Sequence, residues 1–138
     1  VHVISNPLSK KFILSNFFQI KSVAGLAGAT FNDDLVKKNI IFKNKDRYKN
    51  PLEYKTLGLS IDNLTELNLI KKPNLLKVDV DGNELDVIEG CKNTIKESKE
   101  ISILVESRKE TDNNIKKKLE DLGLKKISQI RNNSIWEK

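Results

Sequence analysis

The run Leu75-Leu-Lys-Val-Asp-Val-Asp-Gly-Asn-Glu-Leu-Asp-Val-Ile-Glu-Gly90 brings three carboxylates, Asp79, Asp81 and Glu84, to the place where an apolar strand passes into a helix. Open α/β sheets meet their ligands just outside the carboxyl ends of their strands. Carboxylates there can hold a divalent cation, balance a ligand's positive charge, or take a proton from a nucleophile. A further acid, Glu106, ends the next apolar run, Ile101 to Val105, and points to the same edge.

These acids need a frame, and the pattern downstream supplies one. Leu75 to Val80 predicts a strand. Glu84 to Ser98 predicts one helix, because Leu85, Ile88, Cys91 and Ile95 share a face near the 3.6 period. Ile101 to Val105 predicts a second buried strand. Asp112 is placed to cap another helix, with Ile115, Leu119 and Leu122 inward and Gly123 as its stop. Leu124 to Ile130 and Ser134 to Trp136 flank Arg131-Asn-Asn133, a hairpin signal. Strands alternating with helices imply an α/β fold with a mostly parallel sheet. The hairpin would add an antiparallel strand at or near its edge.

The first part of the chain is harder to read. Val1 to Ile4 is strand-like, followed by the turn Ser5-Asn6-Pro7. Residues 10–55 are a variable, poorly periodic segment. They hold an aromatic cluster (Phe12, Phe17, Phe18, Phe31) that reads most simply as core, a small-residue run from Val23 to Thr30, and a polar, loop-like stretch at 43–50. Thr56 to Ile61 predicts a strand. Asp62 is placed to cap a short helix carrying Leu64 and Leu67, and Pro73 closes that unit. The expected organisation is a single domain over 1–138, with 1–9 a strand and turn, 10–55 variable, and 56–138 the legible part.

Composition narrows the partners. The net charge is +6, but the lysines are scattered. The one triplet, Lys116 to Lys118, lies inside an amphipathic helix, and no basic run interleaves with aromatics. Solvated helix faces account for this charge, so no nucleic-acid partner is expected. Cys91 is the only cysteine, which excludes an internal disulfide. No stretch resembles a signal peptide or is apolar enough to span a bilayer, so a cytoplasmic location without membrane contact is expected. The chain opens on Val1-His-Val-Ile and contains no Met, so a piece of a longer chain is expected.

Several chemistries compete for Asp79-Val-Asp-Gly-Asn-Glu84. A calcium-binding EF-hand fails: with Gly82 at its sixth position, Lys77 would stand first and Ile88 twelfth, neither of them a ligand. A phosphatase of the haloacid dehalogenase type shares the strand and Asp-x-Asp-Gly. Those enzymes usually continue with Thr, and no later acidic metal motif follows here. A nucleotide-sugar glycosyltransferase could use Asp79 and Asp81 on a divalent ion, although a bare Asp-x-Asp is common.

One resemblance covers most of the chain. Leu59-Ser-Ile-Asp62-Asn-Leu64, Pro73, Leu76-Lys-Val-Asp79-Val-Asp81-Gly82-Asn-Glu84, Ile88-Glu-Gly90, Ile103-Leu-Val-Glu106 and Leu119-x-x-Leu-Gly123 resemble, in residues and spacing, the C-terminal half of FkbM-type methyltransferases. Asn6-Pro-Leu-Ser9 is similar to that family's turn after its third strand. The resemblance implies a partial Rossmann-like class I methyltransferase sheet and S-adenosylmethionine as methyl donor. It implies a small-molecule acceptor, such as a hydroxyl on a sugar or natural product; no residue is assigned as a metal ligand. Asp79, Glu84 and Glu106 would be catalytic, with Asp79 beside the methyl sulfonium and acceptor. Asn6 and Asp79 would touch the cofactor. Plainer roles remain open: Asp81 and Glu84 could cap the helix start, and Glu106 could pair with Arg108.

The chain departs from the family in two respects: neither the glycine-rich cofactor loop nor the acid that ends the second strand and binds the ribose is found. A class I enzyme cradles its cofactor in a Gly-rich loop, and no Gly-x-Gly occurs among the glycines at 25, 28, 58, 82, 90 and 123. The chain is therefore expected to be the C-terminal portion and inactive alone. The rival reading is a non-catalytic α/β module for assembly or binding, with Asp79 and Glu84 used as caps.

Overall fold

A computed structural model describes residues 3–19, 29–31, 52–107 and 109–138. Its elements are β1 (Ile13–Gln19), β2 (Ala29–Phe31), β3 (Leu52–Gly58), α1 (Ile61–Glu66), β4 (Leu75–Val78), α2 (Glu84–Glu89), α3 (Lys92–Glu97), β5 (Ser102–Glu106), α4 (Lys109–Asp121), β6 (Lys125–Ile130) and β7 (Asn133–Glu137). The polar stretch at 43–50, most of the small-residue run and Arg108 lie outside the described residues.

Two sheets form, in the orders β2-β1-β3 and β4-β5-β7-β6. The domain is thus mixed α/β, but the expectation of a mostly parallel sheet is corrected. Among the described ladders only β4 with β5 is parallel. Parallel pairing needs a long crossover, which α2 and α3 supply. The tight turn between β6 and β7 forces an antiparallel pair, and β7 then lies antiparallel beside β5. The three-stranded sheet is built largely from the segment that lacked a clear period. Val3 and Ile4 are exposed and outside any strand, contrary to expectation. The next residues instead run beside β3, through a parallel bridge from Leu8 to Leu59.

The core sits on one face of the four-stranded sheet. Register pairs Val78 with Val105 and Ile103 with Trp136, so these side chains share a face. They pack with Val87 and Ile88 of α2, Cys91 between the helices and Ile95 of α3, and with Ile115 and Leu119 of α4 and Leu122 just beyond it. Full burial of such a side chain is worth roughly 1.5–3 kcal/mol. Gly123 ends α4 as expected. Leu124 N–H donates to Leu119 O at 3.0 Å and Gly123 N–H to Glu120 O at 2.9 Å, the Schellman pattern. The start of α4 differs: the helix begins at Lys109, and Asp112 accepts the Ser107 hydroxyl at 2.6 Å.

The helix expected over Glu84 to Ser98 is two short helices, and a single residue accounts for the break. Asp62 occupies both ends of the bond that would join residues 90 and 94. Its N–H donates to Gly90 O at 2.9 Å, and its carboxylate accepts Thr94 N–H at 2.8 Å and Asn93 N–H at 3.0 Å. Asp62 therefore caps α3 from a distance and does not cap its own helix. That task falls to Ser60, whose side chain accepts Asn63 N–H at 3.0 Å in a capping box. Among the described residues no helix is long and apolar enough to cross a membrane.

Candidate active site at the ends of β4 and β5

The parallel register sets the site. Val78 opposite Val105 means that the next residues, Asp79 and Glu106, emerge together at the carboxyl ends of neighbouring strands. Because side chains alternate along a strand, Lys77 and Asp79 share the face opposite the buried Val78. Lys77 Nζ donates to Asp79 Oδ2 at 2.8 Å.

After Asp79 the chain must turn into α2. Gly82 takes φ +95°, a conformation that suits glycine, and its N–H donates to Val80 O at 2.7 Å and to Glu84 Oε1 at 3.0 Å. Glu84 is thereby spent on the turn: it is buried at the start of α2. Asn83 occupies the N-cap position of α2 without making a side-chain cap. Its Nδ2 donates instead to Leu8 O at 3.1 Å, tying the turn to the N-terminal segment.

A cavity of about 550 Å³ opens at this edge. Asp79, Asp81, Asn83 and Glu106 line one side, and Phe17, Thr30 and Phe31 from the antiparallel sheet line another, with Pro7 and Leu8 between them. Glu84 is not among its lining residues. Asn6 lies outside it: its Nδ2 donates to Leu57 O at 3.0 Å, and it borders a separate cavity of about 970 Å³ with Ile4, Leu69 and Ile70. The site expected from sequence therefore divides, with Asp79 and Glu106 together, Glu84 behind them in the turn, and Asn6 beside a different, largely apolar hollow.

Asp79 and Glu106 stand side by side at these strand ends, and their affinities for a proton are driven apart. Hydrogen bonds from Lys77 and Glu106 hold the Asp79 carboxyl below its ordinary range. The bond to Asp79, partial desolvation and the charges of Asp79 and Asp81 push Glu106 up. The pair titrates as a unit. Of the two, Glu106 is the one that holds a proton more readily. The hydrogen bond that Lys77 donates to Asp79 raises Lys77 as well, keeping its ammonium charged. Burial pushes the Cys91 thiol up to about 12, so it is no nucleophile here. Among the described residues no group of three or more His, Cys, Asp or Glu is arranged to hold a metal ion.

Sequence reasoning passed over Lys77, Asn83, Thr30 and Phe17 as site residues. The signal for Lys77 was its i, i+2 spacing to Asp79. Thr30 and Phe17 had none, since a different sheet brings them in.

The architecture is that of a mixed α/β domain with a candidate site at a strand edge. Residues 19–126 match the family model described as the methyltransferase FkbM domain. The match covers well over half of the chain, which therefore belongs to the FkbM methyltransferase family. No curated protein and no solved structure matches it.

Proposed function

We propose that the chain forms the acceptor side of an S-adenosylmethionine-dependent methyltransferase that methylates a hydroxyl on a small molecule. The observation that carries this reading is the Asp79–Glu106 pair, brought by parallel register to adjoining strand ends in one cavity, with Lys77 donating a hydrogen bond to Asp79. When bound, S-adenosylmethionine supplies an electrophilic methyl group on a cationic sulfonium. The donor set suits that cation at one end only: Asp79 and Asp81 can balance its charge, while the Gly-x-Gly loop that would hold the rest does not occur in this sequence.

The two acids divide the work. Asp79, ionised through its Lys77 contact, provides a fixed negative charge beside the reacting centre. Charge placed in advance costs no reorganisation during reaction. Glu106, the more basic of the pair, is the better proton acceptor once ionised, because general bases work best with pKa values near the operating pH. It would accept the proton of the acceptor's hydroxyl, making that oxygen the better nucleophile. Phe17 and Phe31 supply an apolar wall that limits water.

We further propose that these 138 residues alone bind S-adenosylmethionine weakly and do not turn over. The intended partner is a small molecule and not nucleic acid or membrane, in a cytoplasmic setting. The scattered lysines support the reading that nucleic acid is not the partner. Calorimetry of the chain with S-adenosylmethionine tests the affinity, with no heat expected at micromolar concentrations. Micromolar binding would overturn it.

A further inference from the structure

Asn83 spends its side chain in an unusual way. Asn at an N-cap ordinarily accepts a helix N–H, and here it does not. Donation from Nδ2 to Leu8 O fixes which way the amide faces, since the reversed amide would set two oxygens against each other. Oδ1 is therefore committed as an acceptor. It is buried and has no hydrogen-bond partner among the described residues, in a side chain only 5% exposed. Thr30 repeats the feature on the other sheet: Oγ1 is buried and unpartnered among the described residues, in a residue 6% exposed. Both residues line the Asp79–Glu106 cavity. Buried polar groups are nearly always satisfied, and exceptions call for a cause.

We infer that Asn83 and Thr30 select the methyl acceptor, Asn83 Oδ1 taking a hydrogen bond from a hydroxyl or amine of a donor-rich, neutral or cationic molecule such as a sugar. The remaining polar side chains on this wall are carboxylates, which also accept hydrogen bonds. A wall of acceptors is satisfied by a ligand rich in donors and repels one bearing a carboxylate or phosphate. Phe17 and Phe31 give the apolar face of a ring a surface to lie on. This assignment rests on the cavity being the acceptor site, but it is read by binding, without cofactor or turnover. Its failure is therefore separable from failure of the methyl-transfer reading.

The test is a titration of the 138-residue chain, labelled with ¹⁵N at asparagine, following the Asn83 side-chain amide. The probes are methyl α-glucopyranoside, glucosamine, glucuronic acid and S-adenosylhomocysteine. The two uncharged or cationic sugars are expected to shift the Asn83 signal saturably, with glucuronic acid at least about tenfold weaker. Thr30→Val, which keeps shape and removes the hydroxyl, and Asn83→Ser are each expected to weaken sugar binding about three- to tenfold, the scale of one hydrogen bond. An unmoved Asn83 signal, equal binding of glucuronic acid, unchanged affinity in both variants, or a shift with S-adenosylhomocysteine alone would each overturn the assignment.

Discussion

Replacing Gly90 with alanine sets intrinsic propensity against packing, and the two give opposite signs. Gly90 has φ −74° and ψ −4°, so alanine meets no backbone strain. At such a position the exchange normally stabilises by about 0.4–1 kcal/mol through the unfolded chain. The added Cβ, however, would overlap the Ser9 carbonyl oxygen and come within 2.9 Å of Ser60 Cβ and 3.1 Å of Lys10 Cα. The segment cannot retreat freely, because Ser9 N–H donates to Leu59 O at 2.8 Å and Leu59 N–H to Pro7 O at 3.0 Å. Overpacking of this kind costs about 1–3 kcal/mol, and each weakened backbone hydrogen bond about 1 kcal/mol. With the entropic gain subtracted, a net loss of about 2–3 kcal/mol is expected. Urea denaturation followed by circular dichroism measures it, with the m-value unchanged. The shift also reaches the site, since Leu8 O holds Asn83 Nδ2, so the Asn83 amide signal should move. A variant as stable as the parent, or more so, would refute the packing argument.

Further outcomes follow from the same geometry. Asp62→Ala removes the acceptor for three donors at the start of α3 and should cost about 2 kcal/mol, with Asp62→Asn retaining about half of that, by urea denaturation. For pH dependence, Glu106 is raised, so its stabilising contribution is present below the ordinary value of 4.5 and lost as pH rises through the folded value. Asp79 is lowered, so its contribution is present above 3.8 and lost as pH falls. Glu106→Gln should therefore abolish the decline in melting temperature that begins above pH 4.5 and leave the acid limb in place. A variant that keeps the upper decline would contradict the pairing.

The sequence was most legible where burial follows a simple period. From Leu75 onward the order strand, helix, strand, helix, hairpin could be read, because Val78, Ile103, Val105 and Trp136 are buried and Ile115, Leu119 and Leu122 recur at helical spacing. Gly123 was legible through local stop chemistry. The break at Gly90 was not, since its cause, Asp62, lies about thirty residues away and acts through tertiary hydrogen bonds. The aromatic cluster split for similar reasons: Phe18 and Phe31 are core, Phe12 is exposed, and Phe17 reaches the cavity. Of the site, acids at adjacent strand ends could be foreseen, because strand register alone brings Asp79 to Glu106. Asn6 and Glu84 could not be placed, because local turns decide where their side chains go.

The most direct measurement is methyl transfer from radiolabelled S-adenosylmethionine to a panel of hydroxylated small molecules, using the protein as its gene encodes it and its Asp79→Asn variant. The parent protein is expected to label a hydroxyl compound. Asp79→Asn, which keeps the shape and removes the charge, is expected to lose about a hundredfold or more in rate, with little change in S-adenosylhomocysteine affinity. Full activity in the variant, or no labelling of any hydroxyl compound by the parent, would contradict the assignment of Asp79 and Glu106 as the reacting pair.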